Sequence, residues 1–269
     1  SLACWAGRFT PTISLAPPDT LLLEIGGCLR LFGGAEAIIA AALAGCSEQA
    51  YSVSWAAAPT PLGAGWLARI GAASVYPEMA GMQSALAKLP CAIPGWPNEV
   101  ENRLESFGLK RLGELLTIPG AGLRRRVGNR PVDDLLRAWG DLLDPQKSFV
   151  FPENFAIDIE LPARVEHAEA LVFAGQRLFA ALAGWLHGRQ LLVRCFSLQL
   201  THDEGAPPTL ALNFAEPAAD EARFLRLLRE HLSRLKLKAP VEALRLQADE
   251  LVGKPGASAH LFEQAPDGE

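Results

Sequence analysis

Asp19-Thr20-Leu21-Leu22-Leu23-Glu24-Ile25-Gly26-Gly27-Cys28-Leu29-Arg30-Leu31-Phe32-Gly33-Gly34 is the stretch from which the rest of the chain is read. Its apolar run, Leu21 to Ile25, is broken by one acid and flanked by turn formers, Pro17-Pro18 before it and Gly26-Gly27 after it. That pattern predicts a short buried strand leading into a glycine-punctuated loop. An acid in such a strand is costly to bury unless it is paired, holds a metal ion or sits at a solvent-facing end. On residue types alone, Asp19 capping a turn and Glu24 reaching water or an arginine account for both carboxylates.

Working outward, the first 92 residues alternate strand and helix signals. A helix is predicted over Ala35 to Ala44 with Gly45 as its C-cap, a strand over Tyr51 to Ala58, a helix over Pro61 to Ile70 and an extended piece over Ala73 to Tyr76. The first few residues read as the end of a helix and include no Met, as in a fragment or a trimmed chain. Pro90 to Trp96 marks a boundary. Beyond it four short helices are expected: Asn98 to Phe107, Arg111 to Leu116, Leu123 to Val127 and Val132 to Trp139. Thr117-Ile118-Pro119-Gly120 forms a tight hairpin between the second and third. Backbone N–H groups at such a hairpin point toward a phosphate oxygen, with flanking arginines adding charge.

A proline-bounded linker, residues 145–152, precedes a βαββαβ pattern. Strands are predicted over Phe155 to Leu161, Leu191 to Thr201, Thr209 to Phe214 and Ala243 to Leu251, and helices over Ala168 to His187 and Asp220 to Leu235. Polar and apolar residues alternate from Arg194 to Leu200 and from Leu244 to Ala248, so one sheet face packs on the helices and the other is exposed. Arg194, Gln199, Arg245 and Gln247 stud that outer face, which can lie along a DNA backbone or simply be solvated. The tail from Gly253 is rich in Pro, Gly, Ala and acids, with one apolar island at Ala259-His260-Leu261-Phe262.

With 269 residues, 49% of them hydrophobic, the chain can fill two or three domains. No apolar run approaches the roughly 18 residues of a membrane span, and the start lacks a signal-peptide pattern. Five cysteines without C-x-x-C spacing argue against zinc and against a disulfide framework, and fit reduced, buried thiols in the cytoplasm. A net charge of -5 suits a nucleic-acid binder poorly as a whole. The cations are unevenly placed, however, with Lys110, Arg111, Arg124, Arg125, Arg126 and Arg130 crowded together. A patch of this kind speaks to a site where net charge does not. The competing reading of the three consecutive arginines is a helix face, partly solvated and partly ion-paired to Glu114. The five histidines are dispersed, no G-x-S-x-G or Walker-type loop is present, and Gly33-Gly34 lacks the lysine of a P-loop.

The residues Trp5 to Gly34 carry a family likeness. W-A-x-R-F-T-P-x-x-S-L, then P-D-x-L-L-L-E-I-x-G-C and L-F-G-G, resemble the palm active-site segment of Y-family (translesion) DNA polymerases, and more closely their ImuB-type branch. The resemblance extends, more loosely, over nearly the whole chain. It implies an α+β fold: a partial palm, a sheet with helices on one face (1–92), an all-α helix-hairpin-helix thumb (93–144) and, after the linker, a βαββαβ little finger (153–252). The first palm strand and the fingers are absent from this chain. A flexible tail (253–269) is expected to hold a remnant of a clamp-binding peptide at Leu261 and Phe262.

The same resemblance bears on catalysis. Y-family enzymes hold two metal ions with three carboxylates, since two divalent ions repel strongly unless acids bridge them. Aligned without gaps, the adjacent Asp-Glu pair of the family falls on Asp19 and Thr20; in an alternative register it falls on Ala16 and Pro17. The pair is broken either way. Glu24 lies about 16 Å farther along an extended strand, facing the opposite side. The expectation is therefore no polymerase activity, no metal site and no cofactor, with Mg²⁺ entering only if acids outside this chain complete the site. The implied role is an adaptor in error-prone translesion synthesis. It would bind DNA through Lys110, Arg111, Gly120, Gly122, Arg124, Arg125, Arg126, Arg130, Arg194 and Arg245, and bridge the sliding clamp, a RecA-like protein (ImuA) and a DnaE-type polymerase. Such a protein works in the bacterial cytoplasm at the nucleoid and has no membrane partner.

Overall fold

The computed structural model describes residues 2–202, 208–237 and 239–254. In chain order its elements are α1 (Leu2–Ala6), β1 (Ile13–Ala16), β2 (Thr20–Leu23), α2 (Leu29–Phe32), α3 (Ala35–Glu48), α4 (Pro61–Arg69), α5 (Met79–Ala87), α6 (Asn98–Ser106), α7 (Leu112–Leu115), α8 (Gly120–Val127), α9 (Asn129–Trp139), β3 (Ala156–Val165), α10 (Leu171–Gly188), β4 (Leu191–His202), β5 (Thr209–Ala218), α11 (Glu221–Leu232) and β6 (Val241–Gly253). The class is α+β. Two compact units result. One takes the chain up to Ile13, Leu23–Ala42 and the chain from Phe149 on; the other takes Ser14–Leu22 and Leu43–Ser148.

The first unit is built on an antiparallel sheet of order β3-β6-β4-β5, with α10 and α11 completing the βαββαβ order. Alternation along its strands does what the period of two requires. Phe196, Leu198, Leu200, Leu244 and Leu246 are fully buried or nearly so, while Ser197 pairs with Gln247 and Gln199 with Arg245 on the other face. Phe179 of α10 and Phe224 of α11 meet Phe196 of β4 with ring centroids 5.0 and 5.6 Å away. Such aromatic clusters add to ordinary area burial through offset and edge contacts. Helix α11 starts where the Asp220 carboxylate accepts the Arg223 N–H at 2.9 Å, and buries Phe224, Leu225, Leu228 and Leu232 at helical spacing. Helix α1 lies directly on α10, because a Cβ at Gly184 would run into the backbone of Cys4 and Trp5.

The second unit is mostly helical, with the paired strands β1 and β2 as its regular sheet. Thr60 caps α4 by accepting the Gly63 N–H at 3.2 Å and donates to the Ala138 carbonyl at 2.8 Å, tying the start of α4 to the end of α9. Helix α7 approaches α5 so closely that a Cβ at Gly113 would sit 2.8 Å from the Ala87 Cβ. Trp66, Met82, Leu86, Leu104, Leu112, Leu115, Leu123 and Leu135 fill the core between these helices. Gly140, at φ +86°, ends α9 in the left-handed conformation that a residue with a Cβ rarely adopts.

Several local expectations need correction. The strand Leu21–Ile25 is shorter and earlier, Thr20–Leu23, and the loop after it contains a 3₁₀ turn, Gly26–Cys28, and the helical turn α2. Gly45 does not end α3. Buried Cys46 anchors one more turn, and the chain leaves at Ala50 (φ +61°) with the Tyr51 N–H donating to Cys46 at 2.9 Å. Tyr51–Ala58 is not a regular strand: only Ala57 bridges, in parallel, to Val75, because no further strand lies alongside among the described residues. Helix α5 was not expected, its sequence of small residues and two methionines carrying little periodicity. Helix α8 begins at Gly120, three residues before the predicted Leu123.

Candidate nucleic-acid interface

The turn joining β1 to β2 runs through Pro17, Pro18 and Asp19, with a cis bond between the prolines. Asp19 is exposed, and its Oδ1 accepts the Thr20 hydroxyl at 3.3 Å. Glu24 lies beyond the strand, where its Oε1 accepts the Gly26 N–H at 2.7 Å. Ala16 ends β1 and Pro17 is exposed in the turn; neither carries a side-chain donor atom. Among the described residues no group of three or more His, Cys, Asp or Glu is placed to hold a metal ion. One carboxylate beside a neutral hydroxyl does not fit a two-ion site, whose ligands must offset about four positive charges.

The cation-rich segment is built differently. Residues Pro90 and Arg111 form a short antiparallel bridge, and α7 opens after it. Lys110 and Arg111 have exposed side chains, while their N–H groups donate to the Glu114 carboxylate at 2.7 and 3.2 Å. Those two backbone hydrogen bonds hold the Glu114 carboxyl below the usual range, with the charges of Arg111 and Lys110 adding to the effect. Glu114 is thus engaged with backbone and takes no arginine of α8, contrary to the ion pair expected of a solvated face.

Gly120, Ala121 and Gly122 form the first turn of α8, where helix geometry leaves N–H groups without intrahelical partners. The three arginines that follow diverge. Arg124 pairs with Asp133 at 2.7 Å. Arg125 is exposed and makes no ion pair among the described residues. Arg126 lies over the Phe107 ring, 5.5 Å from its centroid. Arg130 is exposed in the first turn of α9. The hairpin therefore displays Lys110, Arg111, Arg125, Arg126 and Arg130 toward solvent, with Arg124 partly neutralised.

On the sheet, Arg194 is exposed beside the register shift between Val193 and Cys195. Arg245 faces Asp158 across the β3–β6 pair, and its Nη1 lies 3.2 Å from both carboxylate oxygens. Leu261 and Phe262, with His260, lie outside the described residues. His187, His202 and His231 each set Nδ1 against a backbone carbonyl, at 2.7, 2.9 and 3.0 Å. All five cysteines are free of disulfides. Burial, with the Glu114 charge second, pushes the Cys91 thiol up to about 11. No single helix among the described residues is long and apolar enough to cross a membrane.

Sequence reasoning missed Phe107 and the acids that pair with Arg124 and Arg245. Phe107-Gly108 marks only the end of a helix, and nothing local shows that the ring stays exposed. The two ion pairs had no local signal either, because each depends on tertiary register.

No protein-family model matches the chain. Over 141 residues it is 32% identical to Protein ImuB of Caulobacter vibrioides, in strain NA1000 / CB15N and in strain ATCC 19089 / CIP 103742 / CB 15 alike. The aligned stretch covers 52% of this chain and 31% of that relative, so the match spans about a third of the relative's length. Solved structures that resemble the chain include an insertion ternary complex of Dbh DNA polymerase, with a TM-score of 0.44, 15% identity and coverage of 94% of this chain and 77% of that one. DinB from Sulfolobus solfataricus gives a TM-score of 0.42 at 17% identity, with the same coverage. Likeness at that level is too loose to bear on function.

Proposed function

We propose that this chain, similar over half its length to Protein ImuB, is an ImuB-type member of the Y-family polymerase superfamily and serves translesion synthesis as a DNA-binding adaptor that does not itself join nucleotides. The observation that carries this reading is the helical hairpin from Lys110 to Arg130. Five cations reach solvent there, Lys110 and Arg111 ahead of α7, Arg125 and Arg126 in the last turn of α8 and Arg130 in α9, on a chain whose net charge is -5. A net-acidic surface is repelled by DNA except where such a patch neutralises phosphates.

In this reading residues 1–92 are the partial palm, 93–144 the thumb, 145–152 the linker and 153–252 the little finger. The thumb grips backbone phosphates through Arg125, Arg126 and Arg130 with the N–H groups of Gly120 and Gly122. Lys110 and Arg111 steer from the flank. Arg194 adds a contact on the outer sheet face. Arg124 and Arg245 rank lower, because Asp133 and Asp158 already face them.

The partners in this reading are the sliding clamp, met by Leu261 and Phe262 of the tail, a RecA-like ImuA protein and a DnaE-type polymerase that performs the chemistry. Several weak contacts on one chain raise the local concentration of the active polymerase at a lesion, which is the physical use of an adaptor. The broken acid pair at Asp19 and Thr20 supports the absence of catalysis. Primer extension with the intact protein and Mg²⁺ or Mn²⁺ tests it: the expected result is no incorporation. Robust incorporation that Asp19→Ala abolishes would overturn the adaptor reading in favour of an active translesion polymerase.

A further inference from the structure

We propose that the groove beside the Pro119–Gly120 turn receives one unpaired nucleotide of single-stranded DNA, its base stacking on the Phe107–Arg126 pair. This rests on the DNA-binding reading above and deepens it. The groove has a volume of about 400 Å³ and is lined by Phe107, Leu109, Thr117, Ile118, Pro119 and Arg126.

Phe107 leaves 52% of its surface exposed, which is unusual for a phenylalanine within a well-packed helical unit. Its position is fixed all the same. Helix α6 ends at it, Gly108 turns the chain at φ +74°, and the Leu109 N–H donates back to the Leu104 carbonyl at 2.9 Å. The Arg126 guanidinium lies over the ring, and the Arg126 carbonyl accepts from Arg103 Nη1 at 3.2 Å. An aromatic ring and a guanidinium in register offer a flat surface on which a base can stack whatever its identity.

Charge complementarity selects the occupant. Arg126 lines the groove, Arg125 precedes it on α8 and Arg130 follows in the first turn of α9, and none of the three is ion-paired among the described residues. An uncharged apolar ligand leaves these cations without a role. An acid-rich peptide meets the charge but brings no planar group to match the stack. A nucleotide supplies both: its base enters the apolar groove while its phosphate meets the charge of Arg126, whose guanidinium reaches back to Gly122 in the first turn of α8. Duplex DNA cannot place a base there, because its bases are paired and stacked internally.

The test uses the full chain and three fluorescein-labelled DNAs of equal length: a blunt duplex, the same duplex with a short single-stranded gap, and that gap built from abasic residues. The wild type is expected to prefer the gapped DNA. Phe107→Ala is expected to weaken gapped-DNA binding by at least about fivefold while changing blunt-duplex binding by less than about twofold. Phe107→Trp, which keeps the stack, should retain the preference, and the abasic gap should bind the wild type as weakly as the base-containing gap binds Phe107→Ala. Equal loss on gapped and blunt DNA overturns the subsite, as does an abasic gap bound as tightly as the base-containing one. Displacement of gapped DNA by polyglutamate in a Phe107-dependent manner overturns it in favour of a peptide. Duplex bound without any preference for the gap leaves the hairpin reading standing and removes the subsite. Phe107-dependent binding of gapped DNA with no affinity for duplex supports the subsite and removes the proposed duplex contact.

Discussion

The helical hairpin and the outer face of the four-stranded sheet both carry arginines, and Arg245 of the sheet and Arg125 of the hairpin are treated in opposite ways. On the sheet, Arg245 sits in register with Asp158 and its guanidinium is engaged by both carboxylate oxygens. At the hairpin, Arg125 and Arg130 face solvent with no acid partner among the described residues, and Arg126 rests on an aromatic ring rather than on an acid. A sheet fixes the partner of each outward residue by register, so an acid across the strand neutralises a base wherever the two align. A helix turns consecutive residues about 100° apart, so the three arginines of α8 diverge and only Arg124 reaches an acid. What a phosphate senses is the unpaired cation rather than the number of arginines in a stretch.

The largest test of this contrast removes the support under one region. Leu112 is fully buried beneath the hairpin, and Leu112→Ala is expected to cost about 2–5 kcal/mol of stability, read by urea denaturation. DNA affinity should fall with it. Phe196→Ala in the sheet core is expected to cost about 3–5 kcal/mol and to leave the hairpin's contribution to binding in place. Affinity that follows Phe196 and ignores Leu112 would reverse the assignment of the two regions.

A smaller test exchanges the two kinds of arginine. Asp158→Asn frees Arg245, and Asp133→Asn frees Arg124. Exposed ion pairs contribute about 0–1 kcal/mol, so each change should tighten duplex binding by at most about fivefold, measured by anisotropy at fixed salt. A loss of affinity in either variant would show that the acid, not the base, serves the interface.

The pH dependence of the helical unit gives a third comparison. The Glu114 carboxyl is lowered in the folded chain by the Lys110 and Arg111 N–H groups. A group lowered on folding contributes stability above its unfolded value, 4.5, and that contribution disappears as pH falls through the folded value. Thermal unfolding of the hairpin region should therefore move to lower temperature on acidification below about 4.5, and Glu114→Gln should flatten that dependence. The smallest effect concerns Cys91, whose buried thiol titrates near 11: at pH 8 its alkylation, followed by mass spectrometry, should lag behind that of half-buried Cys28.

Periodicity made the βαββαβ order and the short helices around Thr117–Gly120 legible, because buried strands and amphipathic helices imprint spacings of two and 3.6 on the residues themselves. Helix ends were less legible. Gly45 looked like a stop, yet a glycine inside a helix costs only about 1 kcal/mol and buried Cys46 offsets it. Tyr51–Ala58 alternates like a strand, but a strand also needs a neighbour. For the candidate site, clustering of cations was visible and their availability was not. Arg124 meets Asp133 through the turn at Gly128, and Arg245 meets Asp158 through a register between strands 87 positions apart, neither of which local sequence encodes. Phe107 was hidden for a similar reason: its exposure follows from how α6 ends above the α7–α8 turn.

The most direct measurement is the salt dependence of duplex binding by the full chain and by the Arg124→Ala, Arg125→Ala, Arg126→Ala triple variant. Removing one cation from a phosphate flattens the plot of log K against log salt by about 0.9, so the account, with Arg124 held by Asp133, predicts a slope shallower by roughly 2 and weaker binding across all sequences. An unchanged slope, or no duplex binding by the wild type even at ~50 mM salt, would contradict it.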